Sequence, residues 1–408
     1  MIERLQYIEK IEGLLNTPPV KVLVGMRRSG KSVVLKQLSD RLIARGIPSD
    51  NVLYYNFESL EWEHLTNYRM LYEDIMRRTK NVSGRVYLLL DEIQEVQSWE
   101  KAVNSFRVDL ECDIIITGSN ERLLSGELAS LLTGRYIEIP IYPLSFIEHL
   151  EFCKTKAGPL QKEKAIGESF DEYLWLGSLP GVHELSKDEE VIRTYTKDVF
   201  NSILLKDVIR RNSIRDTELL ERTVRFLLDN LGQIFSANSI ADFLKSQRRS
   251  LGIETVYNYL SALQQAKMIH KVPRFDIIGK RHLETLEKYY IADHGIRHAL
   301  LGFDTKEVSG LLENIMYMEL LRRGYTVTVG KQGSTEIDFV ANRRELRRYI
   351  QVCYLLATDE TIAREFNPLL AVADNHFKAV VSLDDTPASI IDGIHRINLI
   401  DFLLDQSW

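Results

Sequence analysis

Apolar residues in the first 150 positions fall into short dense runs: Val20–Val24, Val52–Phe57, Val86–Leu90, Asp113–Thr117 and Tyr136–Ile141. These runs are rich in Val, Ile, Leu and Tyr and lack clean polar alternation. They therefore read as strands covered on both faces of a parallel sheet. Leu35–Ala44 and Leu71–Thr79, between them, show helical spacing and are long enough to be crossovers. The pattern predicts an α/β doubly wound fold.

From about 150 to 230 the period becomes helical. Phe170–Leu176 and Val191–Ile209 flank the break Gly177-Ser178-Leu179-Pro180-Gly181. Leu219–Leu228, Ser239–Ser246 and Glu254–Lys267 then read as three helices, the second capped by Ser236 or Asn238. Met268–Phe275 and Glu287–Ile291 read as strands around a Gly279-Lys280-Arg281 tip, an order that suits a winged helix-turn-helix. Past about 305, a helix Leu311–Arg323 ends at Gly324. Strands Tyr325–Val329, Glu336–Ala341, Tyr349–Tyr354, Ala379–Leu383 and Ile397–Ile400 follow. The expected domains are 1–150, 151–215, 216–302 and 303–408.

At ~100–200 residues per domain, 408 residues accommodate two to four domains. A hydrophobic share of 45% and a charged share of 27% support a packed core in each. The net charge of −6 does not announce nucleic-acid binding, although a basic face would be a local feature. The charged start MIERLQYIEK lacks the apolar core of a signal peptide, and no apolar run nears the ~20 residues of a membrane span. Cys112, Cys153 and Cys353 are widely separated, without metal-ligand spacing. Cys112 and Cys353 lie in apolar runs and read as buried thiols, so a reducing cytoplasm is expected.

Gly25-Met26-Arg27-Arg28-Ser29-Gly30-Lys31-Ser32 has the spacing of a phosphate-binding loop, after a predicted strand and before a predicted helix. Glycines let the backbone curl so that N–H groups converge on phosphate oxygens, and the helix opening through Lys31, Ser32 and Val33 directs its positive end there. Lys31 is expected on the β- and γ-phosphates of ATP, and the Ser32 hydroxyl on Mg²⁺. About 60 residues on, Leu88-Leu89-Leu90-Asp91-Glu92 delivers two carboxylates to a strand end. Asp91 is expected to hold Mg²⁺ through water, and Glu92 to orient and deprotonate the attacking water. Ile114-Ile115-Ile116-Thr117-Gly118-Ser119-Asn120 ends a further strand in small polar groups. Thr117 and Asn120 are both candidates to sense the γ-phosphate.

Adding Gly134-Arg135-Tyr136 before the fifth strand, the order of motifs resembles the AAA+ ATPases. That resemblance implies a homo-oligomeric ring, hexameric, in which Arg135 reaches a neighbour's ATP as an arginine finger. Asn56 matches a polar position that restrains the catalytic glutamate. Gly177–Gly181 resembles the glycine-x-proline loop of the signal-transduction and origin-recognition branches, with Ser178 in place of a glycine and Pro180 near the base. Leu132-Thr133-Gly134-Arg135-Tyr136, Pro143-Leu144-Ser145-Phe146, Glu287-Lys288-Tyr289-Tyr290 and Glu336-Ile337-Asp338-Phe339 extend the likeness. They resemble a bacterial and archaeal family of stand-alone AAA+ ATPases. It implies an AAA+ P-loop parallel sheet with a helical lid, then a winged helix and a C-terminal α+β domain similar to PD-(D/E)XK nucleases.

DNA is the partner this organisation implies. Thr255, Tyr257 and Asn258 lie on the second helix of the helix-turn-helix, Arg248 and Arg249 precede it, and Lys280 and Arg281 sit at the wing tip. So few base-reading groups suit recognition of DNA structure over sequence. Protein packing through the same helices, beside Glu254, Glu284 and Glu287, is the competing reading. Arg343, Arg344, Arg347 and Arg348 form a further basic hairpin tip. Glu313, Asp338 and Gln351 match the nuclease pattern, but Cys353 stands where a lysine stabilises phosphate charge, so cleavage is not expected. A nucleotide switch acting on protein partners, and an ATP-gated nuclease, are the alternatives.

Overall fold

The protein is described by a computed structural model covering residues 2–118, 134–156, 165–247, 252–302 and 308–408. The chain divides into two compact units, Met1–Pro143 and Leu144–Trp408.

The first unit contains helices α1 (Leu5–Glu12), α2 (Lys31–Ala44), α3 (Tyr68–Thr79) and α4 (Trp99–Asp109). Its strands are β1 (Val20–Val24), β2 (Val52–Asn56), β3 (Val86–Asp91), β4 (Cys112–Thr117) and β5 (Tyr136–Pro140). All neighbours pair in parallel, in the order β2-β3-β4-β1-β5. Alternate residues of each strand face opposite layers. Val22, Val24, Leu88, Leu90, Ile114 and Ile116 pack with Leu71 and Ile75 of α3 and Val103 and Phe106 of α4. Leu23, Leu89, Ile115 and Ile139 face Ile8 and Ile11 of α1 and Leu35 and Leu38 of α2. Burial on both faces explains why the strands read as unbroken apolar runs.

The second unit opens with α5 (Phe146–Lys156), α6 (Ile166–Leu176) and α7 (Glu189–Ile203). The helix expected through Ile209 changes to a π-helical turn over Leu204–Ile209. Helices α8 (Thr217–Asp229), α9 (Ala237–Ser246) and α10 (Ile253–Gln265) follow, then the hairpin of β6 (Ile269–Asp276) and β7 (Arg281–Ile291). Ser236 caps α9 by accepting from Ser239 N–H. Further helices among the described residues are α11 (Gly295–Leu301), α12 (Val308–Arg322), α13 (Asp359–Leu370) and α14 (Leu399–Leu404). The remaining strands are β8 (Thr326–Gln332), β9 (Thr335–Arg343), β10 (Leu346–Val352), β11 (Phe377–Ser382), β12 (Ser389–Ile391) and β13 (Ile394–Asn398).

These strands form one sheet, β12-β13-β11-β10-β9-β8-β6-β7. The hairpin therefore does not stand apart as a free wing: β6 pairs in parallel with β8 through Arg274 and Val329. Hydrogen bonding thus continues across the boundary expected at 302/303. Helix α12 is buried at every position from Leu311 to Leu320. Asn314 fixes it to the sheet, accepting from Ile291 N–H and donating to Ile291 carbonyl, at 2.8 and 2.9 Å. No described helix is long and apolar enough to cross a membrane.

Candidate functional site

The C-terminal ends of β1, β3 and β4 carry the candidate nucleotide site. Gly25 leaves β1 so close to β5 that a Cβ would lie 2.2 Å from the Ile141 carbonyl oxygen. Gly30, at φ +97°, makes the left-handed turn into α2. Lys31, buried, donates to the Gly25 and Met26 carbonyls at 3.0 and 3.2 Å. The loop is braced from behind by Arg4, which sequence reasoning missed. Its guanidinium donates to Ser29 and Tyr142 carbonyls at 2.8 and 3.0 Å and lies over the Tyr7 ring. Arg4 stands more than 20 positions before the loop, so no local pattern marks it.

The order β3-β4-β1 places Thr117, at the end of β4, between the loop and Asp91. Thr117 Oγ1 donates to Asp91 Oδ1 and accepts from Glu92 N–H at 3.0 Å. Ser32 Oγ donates to the same Asp91 oxygen at 3.1 Å, and Tyr54 hydroxyl to the other at 3.1 Å. Asp91 is fully buried. Burial raises its pKa above the usual aspartate value, against the pull of those hydroxyls. Oxygen donors around a buried carboxylate fit a hard divalent cation, which Ser32 and Asp91 would hold. Glu92 adopts φ +55°, an uncommon conformation for a side-chain-bearing residue, and turns sharply off the strand.

Asn56 does not restrain Glu92. Its Oδ1 accepts from Glu58 N–H at 3.0 Å, a local turn. Gln94 makes that contact instead, donating to Glu92 Oε2 at 2.5 Å. The missed signal was an amide two residues past the carboxylate, reachable only because the chain turns at once into a 3₁₀ turn, Ile93–Glu95. Asn120 lies outside the described residues, as do Arg248 and Arg249. Arg135 is exposed at the head of β5, where its carbonyl accepts from Val20 N–H. That end of β1 is about 16 Å from the phosphate loop at ~3.3 Å per strand residue. Arg107 lies near enough for Arg135 to reinforce the lowering of its pKa by burial.

In the second unit, Gly177 (φ +83°) has no room for a side chain: a Cβ would lie 2.6 Å from Gly295 Cα. Ser178 explains its own departure from glycine, since its N–H and Oγ both donate to Asp293 Oδ2, at 2.5 and 2.7 Å. Pro180 opens a 3₁₀ turn, Pro180–Glu184. On α10, Tyr257 and Asn258 are exposed and Thr255 is half-buried. Lys280 and Arg281 are exposed at the hairpin, Arg281 4.0 Å from Asp276. The expected basic tip at β9–β10 is mostly committed to packing. Arg343 donates to Arg323 and Trp408 carbonyls, Arg347 donates to Asn342, and Arg348 lies 4.2 Å over Trp408. Arg344 alone of these four is exposed.

Glu313 and Asp338 do come together, around a residue sequence reasoning overlooked. Lys288 Nζ lies 3.0 Å from Glu313 Oε2, 3.0 Å from Asp338 Oδ1 and 2.6 Å from Glu336 Oε1. Gln351 accepts from Asp338 N–H at 2.7 Å and donates to Glu365 at 3.0 Å. Burial opposes charge on Lys288, but the carboxylates hold its pKa well above the lysine value. Burial and then Asp338 raise Glu313 to about 8, against Lys288. Cys353 is buried in the core with Leu356 and Phe366, and burial pushes its thiol up to about 12. The ammonium that the nuclease pattern places at 353 is absent there, and Lys288 of β7 is instead ion-paired to the carboxylates themselves.

Comparison with known proteins agrees with the fold. The family model described as an AAA domain matches residues 17–150, and one described as a domain of unknown function matches residues 167–307. An uncharacterised protein of Haemophilus influenzae is 39% identical over 404 residues, covering 99% of both chains. An uncharacterised protein of Methanocaldococcus jannaschii is 30% identical over 346 residues, covering 83% of this chain and 75% of its own. The Walker-type ATPase of Pyrococcus abyssi shares the fold, with a TM-score of 0.51 and 17% identity over 74% of this chain and 96% of its own.

Proposed function

Because this chain belongs to a family of AAA-domain proteins with bacterial and archaeal relatives, we propose that it hydrolyses Mg·ATP at interfaces between its own copies and acts on DNA by structure. The observation that carries the ATPase reading is the meeting of Ser32, in the first turn of α2, with Thr117 and Asp91 at two strand ends, beside Lys31 and Glu92.

Magnesium, when bound, neutralises phosphate charge and orients the phosphates. Gly25, Met26, Arg27, Arg28, Ser29, Gly30 and Val33 supply backbone to the nucleotide cradle. Lys31 exchanges the two loop carbonyls for phosphate oxygens. Ser32, and Asp91 through water, would hold the cation, and Thr117 fixes both the Asp91 carboxylate and the Glu92 amide. Glu92 takes a proton from the attacking water, and Gln94 keeps its carboxylate aimed. Arg135 cannot reach the loop of its own subunit across the length of β1, and with Arg107 it presents two cations suited to a neighbour's phosphates.

For DNA, the exposed Tyr257 and Asn258 of α10 and Lys280 of the hairpin give backbone and stacking contacts with little base readout. The nuclease reading is disfavoured in a new way: Lys288 fills the space between carboxylates that a metal would need. Turnover measured with no DNA and with single-stranded, double-stranded and branched DNA tests the proposal. Stimulation by a branched or junction form supports it. Equal turnover with all four would leave a nucleotide switch for protein partners as the better account.

A further inference from the structure

Helices α5 and α6 bring together three metal-ligating side chains far from the nucleotide loop in sequence. Ser145 and Glu148 form a capping box at the start of α5. Glu148 Oε2 accepts from Ser145 N–H at 2.8 Å, and Ser145 Oγ from Glu148 N–H at 3.2 Å. The cap sets the helix phase, and His149 and Cys153, four residues apart, share a face. That face meets Glu172 of α6. One ligand atom from each of His149, Cys153 and Glu172 lies within 4.8 Å of the others. His149 is fully buried, while Cys153 and Glu172 are half-buried, so the cluster has a closed side and an approachable one.

We propose that His149 Nε2, Cys153 Sγ and a Glu172 carboxylate oxygen form a zinc site that pins α5 to α6, with water as fourth ligand. The spacing of the sulfur and nitrogen donors matches the metal. With zinc–sulfur and zinc–nitrogen bonds of about 2.3 and 2.0–2.1 Å, a tetrahedral angle separates the two donors by about 3.6 Å. Cys153 Sγ and His149 Nε2 are 3.6 Å apart. The chemistry matches as well. A thiolate, a carboxylate and a neutral imidazole balance the charge of Zn²⁺, and mixed sulfur and nitrogen donors favour zinc over magnesium or calcium. His183 and Phe152 wall the site. The His183 ring stands edge-on to His149 with centroids 4.9 Å apart, and Phe152 lies 5.5 Å from His183. Glu172 also meets Lys187, whose side chain is 60% exposed. An exposed ammonium yields such a contact at little cost. The four-residue His-to-Cys spacing was the sequence signal. It passed unread because Glu172 comes from a different helix.

The competing account is a plain thiol–imidazole hydrogen bond with a nearby carboxylate. Full-length protein, purified without chelator and held free of nucleotide and magnesium, separates the two. Elemental analysis is expected to find close to one zinc per chain. Cobalt substitution is expected to give a thiolate-to-cobalt charge-transfer band, which Cys153→Ser and His149→Gln abolish. Glu172→Gln, at the approachable side, is expected to weaken zinc at least tenfold with an unchanged circular dichroism spectrum. This variant keeps the test decisive if the buried substitutions fail to fold. Zinc content below one in ten chains after zinc loading, no cobalt band, or equal zinc affinity in Glu172→Gln would overturn the site.

Discussion

Asp91 and Asp338 are both carboxylates held by a sheet, yet they differ in what meets their charge. At Asp91 the hydrogen-bonding groups are hydroxyls from Thr117, Ser32 and Tyr54, and burial drives its pKa up. At Asp338 the chain supplies an ammonium, Lys288, shared with Glu313 and Glu336. Hydroxyls stabilise a carboxylate without cancelling its charge, as the proposed magnesium site requires. A lysine buried among three carboxylates offsets part of that charge, and the raised pKa of Glu313 shows that a proton offsets more. The same residue type is thus met by hydroxyls in one sheet and by an ammonium in the other.

The contrast can be broken most sharply at Glu92. Glu92→Gln should keep ATP binding while turnover falls by about 10²–10⁴-fold, the usual worth of a general base; undiminished turnover would remove Glu92 from the chemistry. Next comes Lys288→Met, which strands buried carboxylates. Urea unfolding should show a loss of about 3–5 kcal/mol, the cost of breaking a buried pair. A loss within the error of the wild-type value would mean that Lys288 is not needed to balance them.

A smaller effect follows from Glu313. Its folded pKa of about 8 exceeds the ordinary carboxylate value, so the folded state binds a proton that the unfolded state has released. The resulting stability is fully present below about 4.5 and is lost as pH rises through 8. Glu313→Gln should flatten the fall in melting temperature across that window, and an unchanged pH profile would contradict the assignment. Smallest of all, Gln94→Ala should lower kcat about tenfold with little change in KM, because it removes an aiming contact and leaves the carboxylate in place.

The first unit was largely legible because its information is local. Strands buried on both faces announce themselves as apolar runs, and Gly25–Ser32 sits between one such run and a helix. What escaped depends on pairing between distant segments. Lys288 stood in a quoted motif, but its role appears only when β7 joins the sheet that carries Asp338 and packs near Glu313 of α12. Arg4 braces the phosphate loop from a helix entrance with no motif of its own. The arginines near 343–348 read as one basic hairpin tip, yet aromatic rings at Tyr325, Phe377 and Trp408 take up two of them. Long cationic side chains lie along apolar surface as readily as they extend into water.

Nucleotide binding and turnover of Lys31→Ala, measured beside the parent protein at matched folding, test the central claim most directly. The account predicts a folded protein that neither retains ATP nor releases phosphate above background. A variant that binds and hydrolyses ATP as the parent does would contradict it.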